Sequence, residues 1–441
     1  MNTESPRKTH IELYPLLSSL TAATDLISRI LVDHHKKVSF VAAAIGKTLG
    51  LEEHSLNRLI LAAAVHDIGG LSIKTRVQTF EFELVDPDRH TLPGYSLLSG
   101  FEPFADLAEI IRFHHVYWRN GQGMTDGGKD VSLLSHIVHL SDRIAVQIDP
   151  SREILGQKKD IVQRITAESG EMFVPEQVDA FREVAGREVF WLDLMSPFAD
   201  TILQQRFPLG GMDLDPGELL DLAEMFRRII DFRSRFTATH SSGVAAVAVA
   251  LADRGGFEKD DPDRMRITGL MHDIGKLVVP PEILEKRQGL TSDDLAVIYK
   301  HPYYTGEILR GIEAFDDVRL WGSLHHERLD GSGYPYRKSA EEIPEGARIL
   351  SVADTFTALM EDRPYRCGVS ASSSDRIMRD MVAYHKLDED FVGLLYDNAG
   401  EINDKRYEAQ TAADQTHRRF LEESRLLDSS METGDRCPVN R

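Results

Sequence analysis

Cysteine is scarce in this chain: two in 441 residues, Cys367 and Cys437, in no paired spacing. That argues against a disulfide framework and against a thiolate zinc site, and it fits a reducing cytoplasm. Positive charge is also short. Fifty-one Lys and Arg stand against 71 Asp and Glu, for a formal charge of −20. Such a surface repels nucleic-acid polymers and anionic membranes. A small phosphate ligand would need a local cation cluster or a metal. Long apolar runs are missing as well. The start, MNTESPRKTHIELYP, has no signal-peptide core, and VAAVAVALA is too short to cross a bilayer. The expectation is a cytoplasmic protein with no membrane and no nucleic-acid polymer as partner. The alternating pattern of β-strands is nearly absent too.

What remains is helical periodicity. ATDLISRILVDHHKKVSFVAAAIGKTLG, LNRLILAAAVHDIGG, ELLDLAEMFRRIIDFRSRF and ARILSVADTFTALME place apolar residues at i, i+3 and i+4. Gly and Pro clusters punctuate them. The chain reads as all-α, in two domains, since one core seldom organises this length. FPLGGMDLDPGE is the expected linker. The expected spans are 1–209, 210–427 and a flexible polar tail at 428–441.

The two halves repeat one polar set. HDIG occurs at His66-Asp67 and again at His272-Asp273, an offset of 206 (272 − 66). His34 and His240 share that offset. His90 pairs with His301, and His114-His115 with His325-His326, at 211 (301 − 90). Asp142 pairs with Asp354 at 212 (354 − 142). The order is kept while small length changes fall in loops, so the chain is a tandem duplication. Singly, each histidine has an ordinary explanation as a cap or a core polar group. Seven positions in repeated order point to inward-facing ligands of a helical bundle. Imidazole with carboxylate suits iron, manganese or zinc. Two ions roughly 3.5–4 Å apart can clamp a phosphate for in-line attack.

The segment 235–366 resembles the HD-GYP family of metal-dependent phosphohydrolases. HSSGV, HDIGKLVVPPEIL, KHPYYTGEIL, HHERLDGSGYP and DRPYR carry the likeness. Residues 30–145 resemble a degenerate HD copy. The resemblance implies two tandem HD-type helical bundles and hydrolysis of a bacterial cyclic dinucleotide. That substrate is cyclic di-GMP, cut to linear pGpG or on to GMP, or 3′,3′-cyclic GMP-AMP. It implies metal ligands at His240, His272, Asp273, His301, His325, His326 and Asp354, with Asp273 bridging. It makes Asp273 and Lys276 catalytic, and Lys276, Tyr334, Arg363 and Arg366 substrate contacts. Phe236 stands where three-metal members carry Glu, so two divalent ions are expected. Iron or manganese leads, with zinc, nickel or magnesium as alternatives. Thr357 replaces a family carboxylate and leaves the base open. A homodimer or a signalling-protein partner is left open too. The other reading is a catalytically weak nucleotide-binding sensor or scaffold.

The first copy keeps His34, His66, Asp67, His90, His114, His115 and Asp142 as a second candidate metal set. Gly70 replaces the lysine, VYWRNGQG replaces the glycine-tyrosine-proline loop, and no RPYR follows Asp142. The expectation is a domain without cyclic-dinucleotide hydrolysis that supports or regulates the second.

Overall fold

The computed structural model describes residues 8–26, 33–70, 82, 86–207, 209–232, 239–257, 262–286, 289–362 and 367–424. The expected tail at 428–441, and Phe236, Arg363 and Arg366, lie outside them. The described residues are overwhelmingly helical, as the periodicity predicts. Their strands are Thr9–Ile11 paired with Met212–Leu214, and a hairpin of Thr125–Asp126 with Lys129–Asp130. None of the described helices is long and apolar enough to cross a membrane.

The chain divides between Met212 and Asp213, and the strand Thr9–Ile11 belongs with the C-terminal unit. The expected span 1–209 had placed that strand in the first domain. Its main-chain pairing, with His10 Nδ1 2.7 Å from Asp213 Oδ1, accounts for the difference. Within the segment read as a linker, after the strand Met212–Leu214, Asp215 caps the helix Pro216–Asp231. Asp215 Oδ1 accepts from Glu218 N at 2.9 Å, and Glu218 Oε2 accepts from Asp215 N at 2.8 Å. Such a cap stabilises a helix by about 0.5–2 kcal/mol. It fixes which face of the helix, carrying Leu222, Met225, Phe226 and Ile229, turns into the core.

Each unit sets the repeated residues on the same five helices. In the N-terminal unit these are His34–Thr48, Glu53–Val65, Asp88–Leu98, Ala105–Arg112 and Leu133–Val146. In the C-terminal unit they are His240–Gly255, Pro262–Met271, His301–Ile308, Asp316–Leu324 and Glu345–Met360. The C-terminal core packs Val244, Val247 and Leu251 of one helix with Trp321, Leu350, Phe356 and Phe391. Burial of this kind is the main stabilising term. It also clamps the helix ends on which the polar set stands.

Glycine in HDIG has a specific task. A Cβ on Gly275 would lie 1.9 Å from the carbonyl oxygen of His301, and one on Gly69 would lie 2.1 Å from that of His90. The bare glycine lets the His-Asp segment touch the backbone of the next ligand helix. Thr305 locks this crossing in the C-terminal unit. Its Oγ1 accepts from Gly275 N at 3.1 Å and donates to the His272 carbonyl at 2.9 Å.

Candidate metal centre

The C-terminal candidate ligands sit mostly at helix ends, which aim several side chains at one point. His240 opens its helix, His272 and Asp273 follow Met271, His301 opens the next, and His325 and His326 follow Leu324. Asp354 projects from within Glu345–Met360. Six of the seven positions named from the sequence fall in two groups that could each hold an ion, His240, His272 and Asp273, and His301, His325 and His326, and the seventh, Asp354, lies beside both. Asp273 faces both. Its Oδ2 is 3.3 Å from His272 Nε2 and 3.8 Å from His240 Nε2. Its Oδ1 is 3.2 Å from His301 Nε2 and 3.9 Å from His325 Nε2. Asp354 spans them a second time, Oδ1 at 3.1 Å from His240 Nε2 and Oδ2 at 3.9 Å from His326 Nδ1.

The ring nitrogens settle what fits between. His272, His301 and His325 donate Nδ1–H to the carbonyls of Gly269, Ile298 and Gly322, at 2.8, 2.8 and 2.6 Å. Burial pushes His301 down to about 4 and His325 to about 3, so both are neutral near pH 7. With Nδ1 carrying the proton, each Nε2 presents a lone pair. Those of His301 and His325 lie 3.4 Å apart. Two lone pairs at that distance repel unless a cation sits between them. Buried His272 Nε2 and Asp273 Oδ1 have no hydrogen-bond partner, which is rare for buried polar atoms. The donor set therefore fits divalent metal. Burial alone would raise Asp273, but the electrostatic pull of neighbouring His272 and Lys276 outweighs it and holds its carboxyl well below the usual range.

Around the ligands the site is partly open. The side chains of His326, Asp354 and Lys276 are 20%, 12% and 13% exposed. Lys276 Nζ pairs with Asp273 Oδ2. The Tyr334 ring lies 5.0 Å from that of His326 and stacks on Tyr299 at 4.3 Å. Glu327, buried under the loop, accepts from the backbone N of Tyr336 at 2.6 Å and of Lys338 at 3.0 Å, which holds Tyr334 beside the ligands. Thr357 is wholly buried and faces the core.

Sequence reasoning missed two features. Glu361 Oε2 accepts from His240 Nδ1 at 2.9 Å and orients that ligand; an acidic residue just before DRPYR was the available signal. In the N-terminal unit His35, the second half of a His-His pair, turns its Nδ1 to Asp25 Oδ1 at 2.7 Å. The C-terminal unit has Ser241 at that place, bonded to Asp231.

The N-terminal unit repeats the grouping, with His34, His66 and Asp142 in one cluster and Asp67, His90, His114 and His115 in the other. All seven residues named there converge. Arg363 and Arg366, expected to touch substrate, are outside the described residues.

The HD domain family matches residues 31–147 and 224–391. The chain is 26% identical over 401 residues to the 3′3′-cGAMP-specific phosphodiesterase 1 of Vibrio cholerae, covering 88% of this chain and 92% of that protein. It is 38% identical over 148 residues to a cyclic di-GMP phosphodiesterase of Pseudomonas aeruginosa, covering 33% of this chain and 35% of that one. Its fold is similar to the crystal structure of a cyclic GMP-AMP-specific phosphodiesterase of V. cholerae, with a TM-score of 0.61 at 23% identity over 90% of this chain and 98% of that one.

Proposed function

The chain carries two HD domains in tandem, and from that premise we propose that the C-terminal one is a metal-dependent phosphodiesterase of cyclic dinucleotides, with 3′,3′-cyclic GMP-AMP ahead of cyclic di-GMP. One observation carries the reading: Asp273 divides its two oxygens between two histidine groups, the arrangement of a bridging carboxylate. His240, His272, Asp273 and Asp354 would hold one ion, and His301, His325, His326 and Asp273 the other. Divalent ions there supply Lewis acidity to a phosphoryl group and acidify water.

The chain's own residues do the rest. Lys276 is an ammonium at the open edge, next to the bridging carboxylate. It stabilises charge growing on the scissile phosphate without reorganising, as a preorganised cation does. Tyr299 and Tyr334 form a stacked pair beside His326, a platform on which a nucleobase can lie. The buried imidazoles of His301 and His325 stay neutral, so protons compete little with metal at these two rings above about pH 5.

Support for the mixed substrate comes from extent of likeness. The relative named for cyclic GMP-AMP aligns along nearly its whole length, the one named for cyclic di-GMP over about a third. The test is turnover of both dinucleotides by metal-loaded protein, with products separated by chromatography. Linear dinucleotide should appear, faster from 3′,3′-cyclic GMP-AMP. Metal-loaded protein that opens neither ring would overturn the reading.

A further inference from the structure

We propose that the N-terminal HD domain holds a resident pair of divalent transition-metal ions in a closed, structural centre that takes no substrate. The first ion would sit among His34, His66 and Asp142, the second among Asp67, His90, His114 and His115, and each set lies within bonding reach of one point.

Asp67 divides its oxygens as a bridge does. Its Oδ2 is 3.6 Å from His66 Nε2, while its Oδ1 is 3.3 Å from His90 Nε2 and 3.8 Å from His114 Nε2. The rings are already aimed: His66 and His114 donate Nδ1–H to the carbonyls of Ala63 and Ile111 at 2.9 and 2.6 Å. A ligand histidine is normally fixed through its far nitrogen in this way. The Nε2 atoms of His66, His90, His114 and His115, and Asp67 Oδ1, are buried with no hydrogen-bond partner. A polar core left over from a lost site would be expected to pair internally. Five orphaned donor atoms converging on two points are instead what a bound cation satisfies.

Closure separates this centre from the C-terminal one. The side chains of His34, His66, Asp67, His90, His114, His115 and Asp142 are all 4% exposed or less. Structural metal sites complete their coordination with protein donors, whereas catalytic sites keep a position open. The cation has also moved. Gly70 stands at the lysine's place, and Arg143, fully buried, binds Asp142 Oδ2 through Nε at 3.1 Å. The matching Asp354 oxygen faces the partly exposed His326 instead. An arginine turned inward onto a ligand cannot grip a phosphate. The ions would tie together the ends of five helices, so metal binding and domain folding are one process.

The Asp273→Asn full-length protein isolates this centre, because it disrupts the C-terminal bridge alone. After purification it should retain metal by elemental analysis. Chelation should lower its melting temperature by several degrees, and adding zinc, manganese or ferrous ion back should restore it. Asp67→Asn/His114→Gln protein, shown folded by circular dichroism, should carry fewer ions than wild type yet still hydrolyse dinucleotide. Asp273→Asn protein with no metal and no chelator response would overturn the proposal, as would unchanged metal content in the Asp67→Asn/His114→Gln protein. Neither result depends on whether the C-terminal reading of substrate is right.

Discussion

Glu361 and His240 lie 121 residues apart in sequence and 2.9 Å apart in space, Oε2 accepting from Nδ1. The other oxygen of Glu361 accepts from Gln410 of the last described helix. His240 is thereby fixed with Nε2 toward Asp354 and Asp273. Glu361 is a positioning residue for a candidate metal ligand. Removing such partners costs about 10–100-fold in metal affinity. Glu361→Ala should weaken ion binding by that factor, Glu361→Gln should lose less, and excess metal should recover turnover in both. Direct titration measures it; unchanged affinity in the alanine variant would make Glu361 only a structural residue.

Asp273 serves both groups, so its loss should be felt twice. Asp273→Ala is expected to remove both C-terminal ions and all hydrolysis. Residual turnover at the wild-type rate would contradict the bridging role.

Lys276 is a different case, because it touches Asp273 without belonging to either ligand group. Lys276→Ala should keep the metal content while kcat falls by about 10²–10³, the usual cost of losing one preorganised donor. Metal analysis alongside steady-state kinetics separates the roles. A parallel drop in both would make the lysine structural.

Gly275→Ala forces a methyl to within 1.9 Å of the His301 carbonyl oxygen. Overpacking costs about 1–3 kcal/mol in a well-packed core. The variant should melt earlier and bind metal more weakly, since His301 must shift. Calorimetry with and without metal reads both effects, and wild-type values in each would show the contact relaxes freely.

His417 predicts an acid-side loss of stability. Burial, against the rings of Phe232 and Phe420, pushes it down from 6.5 to about 4. Its buried Nδ1 has no hydrogen-bond partner. The unfolded chain therefore takes up the proton first. The stabilising contribution is whole above about pH 6.5 and is lost as pH falls toward 4, on the order of 3 kcal/mol at most. His417→Leu should flatten the melting temperature between those pH values relative to wild type. Superimposable pH profiles would rule the residue out.

The sequence by itself determined the class of fold and singled out the candidate ligands. Apolar residues at helical spacing need only local geometry to be read. Metal ligands are chemically restricted to a few residue types, so the offsets 206 (272 − 66), 211 (301 − 90) and 212 (354 − 142) between the copies single out fourteen candidate positions. What only the tertiary structure decided is where each atom points and how much water reaches it. The division of Asp273 between two groups, the approach of Glu361 to His240, and the pairing of Thr9–Ile11 with Met212–Leu214 join residues distant in the chain. Such contacts depend on helices packing through their apolar faces. The contrast between an open C-terminal centre and a closed N-terminal one has the same origin: His326 and Asp354 are more exposed than their counterparts His115 and Asp142 because the residues packed over them differ.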